Sequence, residues 1–130
     1  MLANSLAALA LVASAAAPQQ ATIYVFDFAE GDRAERARTA AQVIADAEDV
    51  VDAVVIYCAA DPGARGYDFR RETRSLLIEA GAGAHRIHDA GACSPDLTGR
   101  SNDDIGENRV WLALTTIPVL ECYRQQGECY

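Results

Sequence analysis

The stretch Val54-Val55-Ile56-Tyr57-Cys58-Ala59-Ala60-Asp61-Pro62-Gly63 decides the fold of this chain. Its first half is apolar and rich in β-branched residues, which is typical of a buried strand. The Pro-Gly pair then forces a turn, so we expect Asp61 to stand at the exposed end of that strand. The next segment carries four arginines, Arg65, Arg70, Arg71 and Arg74, and no lysine. Since α/β sheets bind ligands at such strand ends, this is the first candidate for a site.

The segments around this stretch alternate between strand and helix patterns. β-branched and aromatic residues mark the strands, and small apolar residues at three- and four-residue spacing mark a first helix that Asp32 can cap. The predicted elements are a strand from Thr22 to Phe28, a helix from Asp32 to about Glu48, a strand from Asp52 to Cys58, a helix from Phe69 to Ala80 that ends at Gly81, a short strand opening at Arg86, a surface loop from Ser94 to Asn108, and an apolar strand from Arg109 to Ile117.

This order of elements predicts the fold class. A strand-helix-strand unit of this length requires parallel pairing with a right-handed crossover. The last strand is apolar almost throughout, so we expect it in the centre of the sheet. We therefore predict an α/β domain, an α+β sandwich in the order β-α-β-α-β-β, with a mixed sheet and two helices packed on one face.

The first residues predict export. Met1 to Ala17 holds an apolar stretch followed by small residues, as in a secretory signal peptide, and the stretch is too short to span a membrane. No basic residue precedes it, so a helical or disordered N-terminal arm is the alternative. Residues 20–130 then suffice for a single domain. That domain keeps the net charge of -8, and its eleven basic residues are all arginine, which argues against non-specific binding of nucleic acid or anionic membranes.

Four cysteines form an even set in a chain expected to be exported, which favours disulfides over free thiols. They are Cys58, Cys93, Cys122 and Cys129. Three pairings are possible, and the turn that Gly127 offers favours Cys122 with Cys129, which leaves Cys58 with Cys93. Zinc is the alternative. Because no close Cys-x-x-Cys pair exists and the histidines lie apart from the cysteines, we predict no metal site and no cofactor.

Catalytic motifs are missing from the sequence. It contains neither a nucleophile elbow, nor a phosphate-binding glycine loop with a lysine, nor a His-Glu-x-x-His word. His85 and His88 are interpreted as ordinary surface or packing residues. The alternative is an exported hydrolase that uses Asp61 or His88 with a second group within hydrogen-bond reach. We predict that the protein is not an enzyme.

Four short words, in order along the chain, resemble the OmpA-like peptidoglycan-binding domain family, and the resemblance covers residues 22–114. They are the strand ending in Phe26-Asp27-Phe28, the strand that closes on the turn at Asp61, the helix end from Leu77 to Gly81 followed by Arg86-Ile87, and Asn108-Arg109-Val110 at the last strand. The resemblance implies a non-catalytic domain of the periplasm and cell envelope that binds the diaminopimelate-containing stem peptide of peptidoglycan.

The resemblance also implies which residues bind. An amino-acid head group carries an ammonium and a carboxylate together, so its pocket needs an acid for the first and a guanidinium fork for the second. By position, Asp61 matches the ligand aspartate of the family, and the ligand arginine falls nearest to Arg74. Arg70 or Arg71 could substitute, since residues three to four apart share a helix face.

Simpler interpretations apply to the same residues. Asp61 and Arg74 can form a surface salt bridge of little energetic value, and the other arginines of the segment can form a solvated helix face. Arg109 either buttresses the ligand site or pairs with Glu107. Asp27 is expected to accept hydrogen bonds from the turn that follows it.

Departures from the family pattern favour a second function. The family's threonine before the aspartate is Ala60 here, its Asn-x-x-Leu-Ser stretch is not recognisable, and the second helix is predicted about one turn shorter. The alternative is therefore a degenerate OmpA-like fold that acts as a disulfide-stapled protein-interaction module, with another envelope protein as partner and without peptidoglycan binding.

Overall fold

The computed structural model describes residues 21–126, so the predicted signal peptide and Cys129 lie outside the described residues. In chain order the elements are β1 (Thr22–Asp27), α1 (Arg33–Ala47), β2 (Ala53–Ala59), α2 (Ala64–Glu79), a 3-10 turn (Ala84–Arg86), β3 (Ile87–Ala92), α3 (Pro95–Thr98), α4 (Asn102–Ile105), β4 (Arg109–Thr116) and α5 (Ile117–Gln126). The predicted order β-α-β-α-β-β is confirmed, with shorter helices after β3 and a further helix after β4. Within residues 21–126, none of these helices is both long enough and apolar enough to span a bilayer.

The strands of the described chain form one sheet in the order β1-β4-β2-β3. β4 pairs antiparallel with β1 and with β2, whereas β2 pairs parallel with β3. The sheet is therefore mixed and β4 is central, as predicted, whereas the parallel pairing predicted for β1 with β2 is wrong, because β4 lies between these two strands. Because β1, β2 and β3 run in the same direction, they end at the edge of the sheet where β4 begins. We call this edge, marked by Asp27, Asp61, Ala92 and Arg109, the strand-end edge.

The ends of the two large helices have local causes. The side chain of Asp32 accepts a hydrogen bond from the N–H of Glu35 at 2.8 Å and caps α1, as predicted. At the C-terminal end of α2, Gly81 adopts a φ of +117°, and the N–H of Ala82 bonds to the carbonyl of Leu77 at 2.9 Å. This is a glycine-closed helix end, also as predicted.

α2 begins at Ala64, five residues before the predicted start at Phe69, so the predicted start is wrong and the helix is longer than predicted. Because glycine has a low helix propensity, Gly66 weakens the helical pattern of the sequence, and the first turn of α2 is not predicted. The structure gives the reason for that glycine. A Cβ at Gly66 would lie 1.8 Å from the carbonyl oxygen of Asp61, because the chain folds back on itself directly after β2.

Alternating residues of the strands pack on opposite faces of the sheet. One face is covered by α1 and α2, as predicted, and its core includes Phe26, Val43, Tyr57, Leu77 and Leu112. The other face is covered as well, by α3, α4 and α5. Its core includes Ile56, Cys58, Trp111, and the helix residues Leu97, Ile105 and Leu120. The predicted surface loop from Ser94 to Asn108 is therefore partly helical and contributes buried leucine and isoleucine side chains.

A disulfide joins Cys58 on β2 to Cys93, directly after β3, with an S–S distance of 2.04 Å. This pairing is confirmed. It closes a loop across a sequence separation of 35, for which chain entropy gives a stabilisation of about 4 kcal/mol. Cys122 on α5 is also disulfide-bonded. Its expected partner, Cys129, lies outside the described residues, so that pairing stays a prediction.

Candidate functional site

The strand-end edge brings together groups from three strands. The N–H of Phe28 bonds to the carbonyl of Asn108 at 2.8 Å, and the N–H of Ala60 bonds to the carbonyl of Arg109 at 3.2 Å. These backbone bonds place the end of β1 and the end of β2 on either side of the start of β4. Asp61 follows directly, where the chain turns from β2 into α2.

Asp61 presents one carboxylate oxygen for binding. Its Oδ1 accepts a hydrogen bond from the N–H of Gly63 at 2.7 Å, which fixes the orientation of the half-buried side chain. Among the described residues, no arginine comes within 4 Å of this carboxylate. The expected alternative, a closed salt bridge between Asp61 and Arg74, is therefore not what the side chains form.

Arg70 is paired with an acid that sequence reasoning missed. Its Nη1 donates to both carboxylate oxygens of Asp89, at 2.8 Å each. The pairing follows from the register of the sheet, because Asp89 lies opposite Tyr57 and shares its helix-covered face. The alternation of β3 was the available signal, since Asp89 stands two residues after the buried Ile87.

Arg74 lies beside Tyr57 rather than beside Asp61. Burial raises the pKa of the Tyr57 phenol, Asp89 raises it further, and the nearby guanidinium groups of Arg74 and Arg70 partly offset both effects. Asp61 lies beyond the end of β2, four residues after Tyr57, and makes no ion pair with Arg74. We call Tyr57, Arg70, Arg74 and Asp89 the β3-side cluster.

Arg71 is exposed, and its guanidinium lies 5.8 Å from the centroid of the Tyr67 ring. No acid among the described residues lies within ion-pair distance of Arg71 or of Arg74. These two arginines of α2 therefore have no acidic partner, whereas Arg70 has one.

Arg109 pairs with Asp27, not with Glu107 as one interpretation had it. Its Nε donates to Oδ2 of Asp27 at 3.2 Å. Asp27 also accepts hydrogen bonds from the N–H groups of Ala29 and Glu30, at 2.8 and 3.0 Å, so the expected turn bonding is confirmed. The bond from Glu30 is the main reason that the pKa of the Asp27 carboxyl lies below its usual value, with Arg109 adding to it.

A column of stacked groups supports the same edge. The guanidinium of Arg36 lies 4.2 Å from the centroid of the Phe28 ring, and Phe28 stacks on Phe69 at 4.2 Å with an interplanar angle of 13°. Arg65 lies 5.9 Å from the Phe69 ring and donates to the side-chain oxygen of Asn108. Arg65 is therefore tied to the start of β4, which the solvated-face interpretation did not foresee. The sequence signal for this stacking was the presence of an aromatic residue just after β1 and another inside α2.

An open cavity of about 270 Å³ adjoins the edge on the side of β1. Half of its ten lining residues are acidic, namely Asp27, Glu30, Asp103, Asp104 and Glu107, and Arg109 is the one basic residue among the ten. The negative charge there favours cationic groups over anions. The cavity therefore acts on a ligand at the strand-end edge through its negative charge.

The remaining titratable residues show no catalytic arrangement within residues 21–126. Burial lowers the pKa of His88, and no hydrogen-bond partner accompanies its ring. The side chain of Asp61 bonds only to a backbone N–H. No group of three or more His, Cys, Asp or Glu residues in the described part of the chain is placed to hold a metal ion. What the arrangement can do is bind charged groups.

No protein-family model and no curated protein matches this chain. Among solved structures, the chain is similar to the periplasmic domain of Helicobacter pylori MotB, at 12% identity and a TM-score of 0.47, over 75% of this chain and 78% of that one. It is also similar to the OmpA-like domain of FopA1 from Francisella tularensis, at 16% identity and a TM-score of 0.44, over 74% of this chain and 73% of that one.

Proposed function

We propose that this domain binds the diaminopimelate-containing stem peptide of bacterial peptidoglycan without covalent chemistry. In this proposal Asp61 receives an ammonium group and an arginine of α2 receives a carboxylate of the same peptide. The observation that carries it is the carboxylate of Asp61, which is oriented by Gly63 at a strand end and has no arginine partner among the described residues.

The chemistry of the edge suits an ammonium group. Oδ1 of Asp61 is held by a backbone N–H, so its other oxygen can accept from a ligand without ordering the side chain again. A hydrogen bond to a charged group contributes about 1.5–3 kcal/mol. The acidic cavity beside β1 adds a negative field that attracts the same kind of ligand.

The arginines of α2 differ in their availability. Arg71 and Arg74 have no acidic partner in the described structure, whereas Arg70 donates to Asp89 and Arg109 donates to Asp27. Arg74 is therefore the first candidate for the carboxylate, with Arg71 next. Arg70 would have to leave Asp89, and Arg109 contributes by holding the end of β1 in place.

The proposal implies a location outside the cytoplasmic membrane, in the periplasm and cell envelope. The disulfide between Cys58 and Cys93 supports it, since such bonds persist in oxidising compartments.

Sedimentation with purified cell-wall sacculi tests this function. The wild-type domain should pellet with the sacculi, and Asp61→Asn, which removes the charge but keeps the shape, should lower the bound fraction at least tenfold. Arg74→Gln should do the same because it removes the carboxylate partner. The matched controls are Asp49→Asn, on the exposed turn after α1, and Arg38→Gln, on the exposed side of α1. Wild-type protein left in the supernatant, or Asp61→Asn retained like Asp49→Asn, contradicts the proposal.

A specific observation also favours the second function, a protein-interaction module. Two of the candidate ligand arginines, Arg70 and Arg109, are engaged by acids of the chain itself. Ile23 and Val25 on the edge strand β1 are exposed large apolar residues. Co-purification of one specific envelope protein, lost in Val25→Asp and accompanied by no retention on sacculi, would select this function over the first.

A further inference from the structure

The β3-side cluster contains more hydrogen-bond donors than acceptors. Arg70 and Arg74 lie one turn apart on α2, and both guanidinium groups act on the phenol of Tyr57. Tyr57 and Asp89 face them from neighbouring positions of β2 and β3. The carboxylate of Asp89 is the acceptor that the cluster supplies.

Two polar atoms of this cluster are buried without a partner. The Nε of Arg70 and the hydroxyl of Tyr57 are both inaccessible, and neither has a hydrogen-bond partner at normal geometry, although the guanidinium of Arg74 lies close enough to the phenol to lower its pKa. The Tyr57 residue has 0% exposure, and the Arg70 side chain is 18% exposed. A buried polar group without a partner costs about 1–3 kcal/mol, so such atoms call for an acceptor.

Arg70 binds Asp89 through one terminal nitrogen and does not use its guanidinium group in the bidentate geometry. Only Nη1 donates to Asp89, to both of its oxygens, whereas a carboxylate is held most tightly when two nitrogens of one guanidinium each donate to one oxygen. Asp89 is more exposed than Arg70, at 38% of its side chain, so it can turn outward while Arg70 stays. The cluster carries a charge of +1 with Asp89 counted, which one further carboxylate would neutralise.

We propose that Arg70, Arg74 and Tyr57 form a carboxylate subsite between α2 and β3, and that Asp89 fills it in the unliganded protein. An incoming carboxylate displaces Asp89, accepts from the Tyr57 hydroxyl and from Nε and a terminal nitrogen of Arg70, and takes a further hydrogen bond from Arg74 at the exposed side. The planar carboxylate is preferred over phosphate because it matches the group that already lies against Arg70.

This subsite deepens the proposed function, on which the identity of its natural ligand rests. Tyr57 lies within β2, and Asp61 follows the end of that strand four residues later. One stem peptide carries several carboxylates as well as an ammonium group, so an extended peptide could reach both places. Asp61 would then hold one part of the ligand, and the β3-side cluster another.

Titration with sodium acetate, followed by nuclear magnetic resonance of the arginine Nε–H groups, tests the subsite without any cell wall. In wild type, acetate should shift the Arg70 signal. Asp89→Asn removes the competing carboxylate that the chain holds at high effective concentration, so acetate should bind roughly tenfold tighter to this variant. Tyr57→Phe, which keeps the ring, and Arg74→Gln should each weaken acetate binding several-fold in the Asp89→Asn background.

Further arms separate the outcomes. Inorganic phosphate should bind more weakly than acetate, methylammonium should not shift the Arg70 signal, and Arg38→Gln should leave the acetate titration unchanged. The proposal is overturned if acetate moves no signal of the cluster in either wild type or Asp89→Asn, or if phosphate binds as tightly as acetate. Sacculus binding without an acetate response would refute the subsite and leave the proposed function standing. An acetate response without sacculus binding would refute the proposed function and leave the subsite standing.

Discussion

Gly66 lets the chain fold back on itself directly after Asp61. The helix that follows could not begin at Ala64 with any larger residue at position 66, because the carbonyl of Asp61 occupies the space of a Cβ. The orientation of the Asp61 carboxylate therefore depends on a glycine one helical turn away. A glycine within a helix costs about 1 kcal/mol relative to alanine. At this position alanine would cost more, because its Cβ would collide with the carbonyl of Asp61.

Replacement of this glycine should separate its role from that of an ordinary glycine. Gly66→Ala forces the Asp61 loop away from α2 and should lower the free energy of unfolding in urea by about 3 kcal/mol. The matched control is Gly83→Ala, whose new Cβ would meet only the ring of the exposed His85, which can move aside. Equal stability of the two variants would show that the contact with Asp61 is not tight.

Among the elements, α1 and β4 were predictable and α2 was predicted only in part. The cap at Asp32 and the apolar run before Pro118 are local signals, and both elements begin and end within one residue of expectation. The first turn of α2 was missed because its glycine serves a contact with the preceding loop, which no local pattern reveals. The two short helices after β3 were missed for a similar reason, since Leu97 and Ile105 are buried only by the sheet above them.

The disulfide joins two neighbouring elements, β2 and the end of β3, and its removal should weaken that edge of the sheet. The double variant Cys58→Ala with Cys93→Ala should unfold at lower urea concentration, with a loss of about 2–4 kcal/mol, because the unfolded chain regains the freedom of a long loop. The control is the double variant with added reductant. Any change in its stability then comes from the disulfide of Cys122 alone. A double variant as stable as wild type in the absence of reductant would contradict a stabilising role.

At the scale of the whole molecule, the sheet has a core on each face. α1 and α2 cover one face, and α5 with the short helices covers the other. The prediction of two helices on one face was confirmed, but it left β4 and β2 open on the other side. The apolar character of Val54, Ile56 and Ala113 is explained only by this second layer.

The second core can be tested through α5. Leu120 is buried against the sheet, so Leu120→Ala should cost about 2–4 kcal/mol in the free energy of unfolding. Val51→Ala provides the control, because Val51 is 82% exposed and should change stability by less than about 0.5 kcal/mol. If Leu120→Ala were as mild as the control, α5 would not belong to the core.

The sequence by itself determined the order of elements, the central place of β4, the helix caps and the strand-end position of Asp61. These follow from local patterns of apolar, turn and capping residues, which act over a few neighbours along the chain. The tertiary structure decided which charges meet. Arg70 pairs with Asp89 and Arg109 with Asp27 because the register of β3 with β2 and of β4 with β1 brings distant residues together. Alternation along a strand gives the face on which a side chain lies, but only the register between strands that are distant in sequence decides which partner it meets.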